Sequence, residues 1–312
     1  MNCSEKVRSP ACFLEILKRI PAYCLFAASL LSFGRVGIPE AAASPDFKIT
    51  HRERSLQPGE VVIFTLESAE TLQEVSGAIF GKTFPFYPGR NSKVWQGLIG
   101  IDLGMKAGTY PVHLKGVAAN GTPFDKAYPL EIRDKNVPTR RLTVEERYVT
   151  PPKEVEERIR LEGKRVEELF GRVTPRKLWL GAFTAPVAGP AGSSFGRRSI
   201  LNGKPRSPHA GTDFNADTGA PIKAPNSGKV VLAADLYFSG NTIIIDHGLG
   251  LYSFLAHLSQ FSVREGAEVR TGDLVGRVGS TGRVTGPHLH WSVRLVGERV
   301  DPLSLMAVLS AR

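Results

Sequence analysis

Cysteine is nearly missing from this chain of 312 residues, and its placement matters more than its count. Cys3, Cys12 and Cys24 all fall in the first 24 residues, so any product trimmed of its front end has no thiol. A disulfide framework and thiolate metal ligation are thereby excluded from the rest. Long hydrophobic runs are also lacking: Ala22 to Phe33, 12 residues, falls short of the about 20 needed to span a bilayer. No His-Glu-x-x-His helix motif occurs, which excludes the metalloprotease type that takes its base from that glutamate. Acids are outnumbered, 30 against 40 basic residues, so the chain favours anionic polymers; no nucleic-acid motif accompanies the charge.

What the front end has is the pattern of an export signal. Lys6, Arg8, Lys18 and Arg19 precede the apolar run, and Ala41-Ala42-Ala43 supplies small residues for cleavage. Residues 1–43 are therefore expected to be a signal peptide, with an uncleaved anchor through residues 22–33 as the alternative and the sole route to a membrane. Export places the chain in the periplasm or cell envelope and removes nucleic acid as a partner.

With 32 Gly and 22 Pro, the whole chain leans to an all-β fold in about two domains. Residues 44–150 alternate apolar and polar positions in short runs, 61–66, 94–101, 110–115 and 128–133. Pro58-Gly59, Pro88-Gly89 and Asn120-Gly121 punctuate them as turns. This spacing predicts a small β-sandwich, with His51 and His113 structural. Residues 151–178 break the pattern: Val155, Ile159, Val166, Leu169 and Phe170 recur at helical spacing, with Thr150 as a candidate cap. A helix there would bridge to residues 179–312.

The chemistry concentrates in that last stretch. Five of the seven histidines, at 209, 247, 257, 288 and 290, lie in it among short strands and glycine turns. His209 and Asp213 stand four residues apart, and His288 and His290 share a face if their segment is a strand. Catalytic zinc takes three such ligands and leaves one position for water, and only nitrogen and oxygen donors are available here. His247, in Asp246-His247-Gly248 at the end of an apolar run, reads as a structural residue of the turn.

An ordered set of motifs then carries a resemblance. It comprises Ser193-Ser194-Phe195-Gly196-Arg197, His209-x-x-x-Asp213, Gly219-x-x-Ile222-x-Ala224-Pro225-x-x-Gly228, Ala256-His257-Leu258-Ser259, Gly279-Ser280-Thr281-Gly282 and His288-Leu289-His290. Residues 180–308 resemble the lysostaphin-type, LytM-like, zinc endopeptidases of peptidoglycan. The resemblance implies a mainly β fold whose C-terminal domain is an antiparallel sheet of the duplicated hybrid motif type. It implies one Zn2+ per chain on His209, Asp213 and His290, with His257 and His288 as the catalytic pair. It further implies peptidoglycan as substrate, a D-alanyl to diaminopimelyl crosslink suiting the chain better than a glycine bridge. The basic loop before His209 holds Arg197, Arg198 and Arg206, candidates for binding substrate carboxylates through guanidinium forks. The competing expectation is a non-catalytic envelope module that binds peptidoglycan or activates a wall amidase, and the complete ligand set weighs against it. The sequence is silent on oligomeric state.

Overall fold

The computed structural model describes residues 46–310, apart from 90 and 193. The expected signal segment lies outside the described residues, as does Ser193 of the first quoted motif. Among the described residues no helix is long and apolar enough to cross a membrane.

Seven strands open the fold: β1 (Phe47–Glu53), β2 (Val61–Ser68), β3 (Leu72–Ile79), β4 (Lys82–Pro88), β5 (Val94–Gly100), β6 (Gly108–Ala118) and β7 (Pro123–Ile132). They form one antiparallel sheet in the order β1-β2-β5-β4-β3-β6-β7. Its fold into two layers turns on β4. The first half of that strand pairs with β3, Gly77 opposite Phe84, and the second with β5, Phe86 opposite Gly97. Alternation buries one face: Val112 and Leu114 of β6 meet Phe64, Leu66, Leu130 and Ile132 in a closed apolar core. His51 is tied to Glu53 at 2.7 Å and packs on Phe64 and Tyr128, a structural setting.

Next come β8 (Thr139–Leu142) and helix α1 (Lys153–Phe170). Thr150 does not cap the helix as expected. Pro152 takes the N-cap position with no side-chain bond, and the Thr150 hydroxyl donates instead to Glu146. Proline suits this place because its missing N–H would be unpaired there. Arg158–Glu162 and Glu157–Arg160 pairs line the exposed face. The apolar stripe of Val166, Leu169 and Phe170 lies on Leu232, Ile244 and Tyr252.

The remaining strands are β9 (Arg198–Leu201), β10 (Lys204–Arg206), β11 (Gly211–Asn215), β12 (Pro221–Lys223), β13 (Gly228–Leu236), β14 (Gly240–Gly248), β15 (Leu251–Phe261), β16 (Glu268–Val269), β17 (Leu274–Val278), β18 (His288–Leu295) and β19 (Glu298–Val300), and helix α2 (Pro302–Leu309) follows them. β8, β9 and β10 make a small sheet, with β8 parallel to β9. The others form a nine-stranded sheet whose main path is β11-β18-β15-β14-β13-β16. The protein is thus mainly β, with an antiparallel C-terminal sheet.

The front and back sheets share a core. Val61, Ile63 and Leu98 of the front belong to the same apolar cluster as Trp179, Leu251, Trp291, Val300 and Leu305. Helix α2, which the sequence signals only by the Asp301-Pro302 pair at its start, fastens the two. Asp301 caps it by accepting from the Leu303 N–H, Ser304 Oγ accepts from the Val61 N–H at 2.9 Å, and Arg52 donates to the Val308 carbonyl at 2.6 Å. Asp301 also receives Arg54 at 2.6 Å and Thr212 at 3.2 Å, so the residue just past β1 is wired to the strand that carries Asp213.

Candidate active site

Three adjacent strands build the site. In β11 and β18, Asp213 stands directly opposite His290, and His290 in turn stands opposite Ala256 of β15. Period-two alternation puts His288 on the same face as His290 and sends Leu289 into the core, where it is fully buried. His257 follows Ala256 at a break in the β14–β15 register and takes a left-handed backbone, φ 68°. That kink turns a residue that would point away into one whose ring lies 4.9 Å from His288 and 5.9 Å from His290.

Hydrogen bonds to carbonyls fix three of the four rings, because a carbonyl only accepts and the ring nitrogen facing it must donate. His209 Nδ1 donates to Ser194 O at 3.2 Å, His257 Nδ1 to Thr281 O at 2.9 Å, and His288 Nδ1 to Gly286 O at 2.9 Å. In the neutral rings the opposite nitrogen, Nε2, is left as an acceptor. His290 presents Nδ1, 3.0 Å from Asp213 Oδ1 and 3.0 Å from His209 Nε2; that Nε2 lies 3.2 Å from the same carboxylate.

His209, Asp213 and His290 thus offer one donor atom each, all within 4.8 Å of one another. Tetrahedral zinc at its usual bond lengths to nitrogen separates two ligand atoms by about 3.3 Å. The donor set fits such an ion: two imidazole lone pairs and a carboxylate aim at one point, with no sulfur. Burial pushes the Asp213 pKa up, but the polar nitrogens of His209 and His290 beside it outweigh burial and hold the carboxyl below the ordinary range, ionised as a ligand must be. Burial, chiefly, lowers the pKa of His290, and it drives that of His257 to about 3, the charges of His290 and His288 adding to the effect. Both rings are therefore neutral at pH 7, His257 with its Nε2 open to accept a proton. Close approach also explains Gly211: a Cβ there would sit 2.5 Å from the His290 ring.

Comparison with known proteins now bears on this geometry. Residues 207–302 match peptidase family M23. A crystal structure from Pseudomonas aeruginosa, described as a candidate M23 peptidase, is 31% identical, covers 82% of this chain and 96% of its own, and superposes with a TM-score of 0.63. The chain belongs to peptidase family M23. Among curated relatives, DD-carboxypeptidase/endopeptidase Mpg of Neisseria meningitidis serogroup B is 43% identical over 97 residues, 31% of this chain and 22% of its own length. Peptidoglycan DD-endopeptidase ShyA of Vibrio cholerae serotype O1 is 38% identical over 96 residues, again 31% and 22%. The matched stretch spans about a fifth of the length of these curated relatives. The M23 match includes the donors at 209, 213 and 290 and both neighbouring histidines.

The five expected histidine and aspartate positions are brought together; the three arginines are placed differently. Arg197 lines a pocket of about 310 Å³ with Phe195, Thr212 and Asp301, and Thr212 alternates with Asp213, so this pocket opens on the other face of β11. Arg198 is exposed at the start of β9. Arg206 ends β10 and donates to the Val149 carbonyl. His247 is fully buried among hydrogen bonds to Ser227 O and Ser253 Oγ, as its structural reading expected.

Sequence reasoning assigned no chemistry to Ser194, whose carbonyl orients His209 and whose hydroxyl reaches Asp213 at 3.4 Å. It also passed over the carbonyls of Thr281 and Gly286. Their signal was present only as membership in quoted motifs or as a glycine beside the His288 segment, because a backbone group leaves no side-chain signature.

Proposed function

We propose that this chain is an exported zinc-dependent endopeptidase that hydrolyses peptide crosslinks of peptidoglycan, between D-alanine and diaminopimelate, within the cell envelope. The convergence of His209, Asp213 and His290 beside two further imidazoles, each oriented by a carbonyl, carries this reading. The names of the curated relatives, DD-carboxypeptidase/endopeptidase and peptidoglycan DD-endopeptidase, support the D,D bond.

A bound zinc ion would supply Lewis acidity at the scissile carbonyl and a water whose pKa falls to about 7. The side chains divide the rest. His257, held by Thr281 O, keeps Nε2 as a proton acceptor, and burial prevents it from idling in the protonated form. His288, held by Gly286 O, has its Nε2 3.8 Å from Asp213 Oδ1 and so faces the three donor atoms. The pair serves to accept the water proton, to steady the developing oxyanion and to return a proton to the leaving amine. A site with all donors and both auxiliary rings in place supports an enzyme over a binding module.

Digestion of purified crosslinked muropeptides by residues 44–312 with one equivalent of zinc tests the reading. Dimers are expected to become monomers, with the glycan intact, pentaglycine a poor substrate and a chelator stopping the reaction. Intact dimers alongside stimulation of a separate wall amidase would establish the module instead.

A further inference from the structure

The kink that brings His257 into the site leaves a fault in the sheet beside it. The pairing of β14 with β15 slips between Asn241 and Ile243, where Asn241 stands opposite Leu258, one residue past His257. Thr281, from the loop that follows β17, fills the fault. Its Oγ1 accepts from the Asn241 N–H at 2.9 Å and donates to the Leu258 carbonyl at 2.9 Å, so one hydroxyl stands between a donor and an acceptor of neighbouring strands. The hydroxyl has one hydrogen to give, and Leu258 takes it. The backbone carbonyl of the same residue accepts from His257 Nδ1, also at 2.9 Å. The His257 N–H, for its part, is held by Ser239 O at 3.0 Å.

Two glycines make the fit possible. A Cβ at Gly240 would lie 2.3 Å from Thr281 Oγ1, and a Cβ at Gly282 would lie 2.4 Å from the Gly240 nitrogen. Branching at Cβ stiffens the threonine side chain, so its hydroxyl and its carbonyl keep a fixed relation. A neutral imidazole has two tautomers, and a carbonyl in front of Nδ1 selects the one that carries its proton there. That selection is only as firm as the place of the carbonyl. We propose that Thr281 is a positioning residue: its hydroxyl bridges the gap opened by the His257 kink and thereby holds its own carbonyl where it keeps His257 Nε2 bare as the proton acceptor. Its part in turnover rests on the endopeptidase reading above; its hold on the ring does not.

Nitrogen-15 spectra of the histidine rings test the hold on the full chain, with and without zinc; the His257 signals are those missing from His257→Ala. The unaltered protein is expected to show this ring protonated on Nδ1 alone. Thr281→Val keeps the shape without the hydroxyl, and Thr281→Ala removes the branch as well; either should give a mixture of tautomers, while Thr281→Ser should keep the parent's. With zinc, kcat on crosslinked muropeptides is expected to fall about ten- to a hundredfold in Thr281→Val at unchanged KM and metal content, and Thr281→Ser to restore most of it. Ser259→Ala controls for general loosening, because that hydroxyl, two residues past His257, donates to Val278 O at 2.8 Å instead. It should lower the melting temperature and leave tautomer and kcat as in the parent. A ring in Thr281→Val and Thr281→Ala with the parent's single tautomer, or a tautomer lost equally in Ser259→Ala, overturns the proposal even if crosslinks are cut. A mixed tautomer beside an unchanged kcat overturns the part of Thr281 in the reaction. A tautomer that depends on the Thr281 hydroxyl upholds its hold on the ring even if no crosslink is cut, and it is then the endopeptidase reading that falls.

Discussion

His247 gives a measurable link between acidity and the integrity of the strand behind the site. Its ring is fully buried; Nδ1 donates to Ser227 O at 2.8 Å, and Nε2 accepts from Ser253 Oγ at 2.9 Å. The same hydroxyl accepts from the Trp291 indole at 3.1 Å, next to His290. Burial lowers the His247 pKa from 6.5 to about 4. The unfolded chain therefore binds the proton more tightly, and stability that is complete above about pH 6.5 is lost as pH falls towards 4. With these two values, the loss between pH 7 and pH 5 is about 2 kcal/mol. In His247→Asn the carboxamide keeps a donor for Ser227 O and has nothing to titrate. That variant should lose about 2 kcal/mol at every pH from its cavity and the unpaired Ser253 hydroxyl. Its loss between pH 7 and pH 5 should nevertheless be smaller than that of the parent by about 2 kcal/mol. Urea denaturation of both proteins at the two pH values, with zinc treated identically, reads the double difference. Parallel stability curves for parent and variant would refute the account.

Three further outcomes are expected. Asp213→Ala removes the only anionic donor of the three, and metal analysis should show occupancy falling well below one zinc per chain. His257→Ala should retain zinc while turnover falls by about 10² to 10⁴, the range for one acid–base group; loss of metal in that variant would reassign the ring as a ligand. Asp301→Ala takes away the α2 cap and the acceptor of Arg54 and Thr212. Thermal melting should show a cost of about 2 kcal/mol, moderated because Arg54 is 37% exposed and keeps Glu60.

The sequence disclosed most where chemistry and periodicity coincide. His288-Leu289-His290 reads as a strand with two imidazoles on one face, and β18 places them so. The runs at 61–66 and 110–115 lie within β2 and β6, since alternating burial is a local property. Long-range pairing left weaker traces. β1, β3 and β4 were not singled out, and β8 joins β9 from 59 positions away, Thr139 opposite Arg198, which no local pattern encodes. The inward turn of His257 depends on a positive φ at a residue that is not glycine, and its ring is oriented by a carbonyl 24 positions on. The arginines show the same limit: density of charge before His209 was visible, but not the facing of β11 that sends Arg197 to one side. Nor did any pattern reveal that Val61, Ile63 and Leu98 complete a core with Trp291, because each alternation is equally compatible with two separate cores.

The left-handed backbone at His257 sets local ruggedness against reactivity. A side chain with a Cβ held there gives up on the order of 1 kcal/mol, and burying an imidazole in neutral form adds to the deficit at low pH. Glycine would relieve both, so His257→Gly should melt above His257→Ala while lacking the proton acceptor. Selection for hardiness alone would drift toward glycine at this position. A histidine persisting there marks a chain whose sturdiness is traded for turnover, at a single residue of β15.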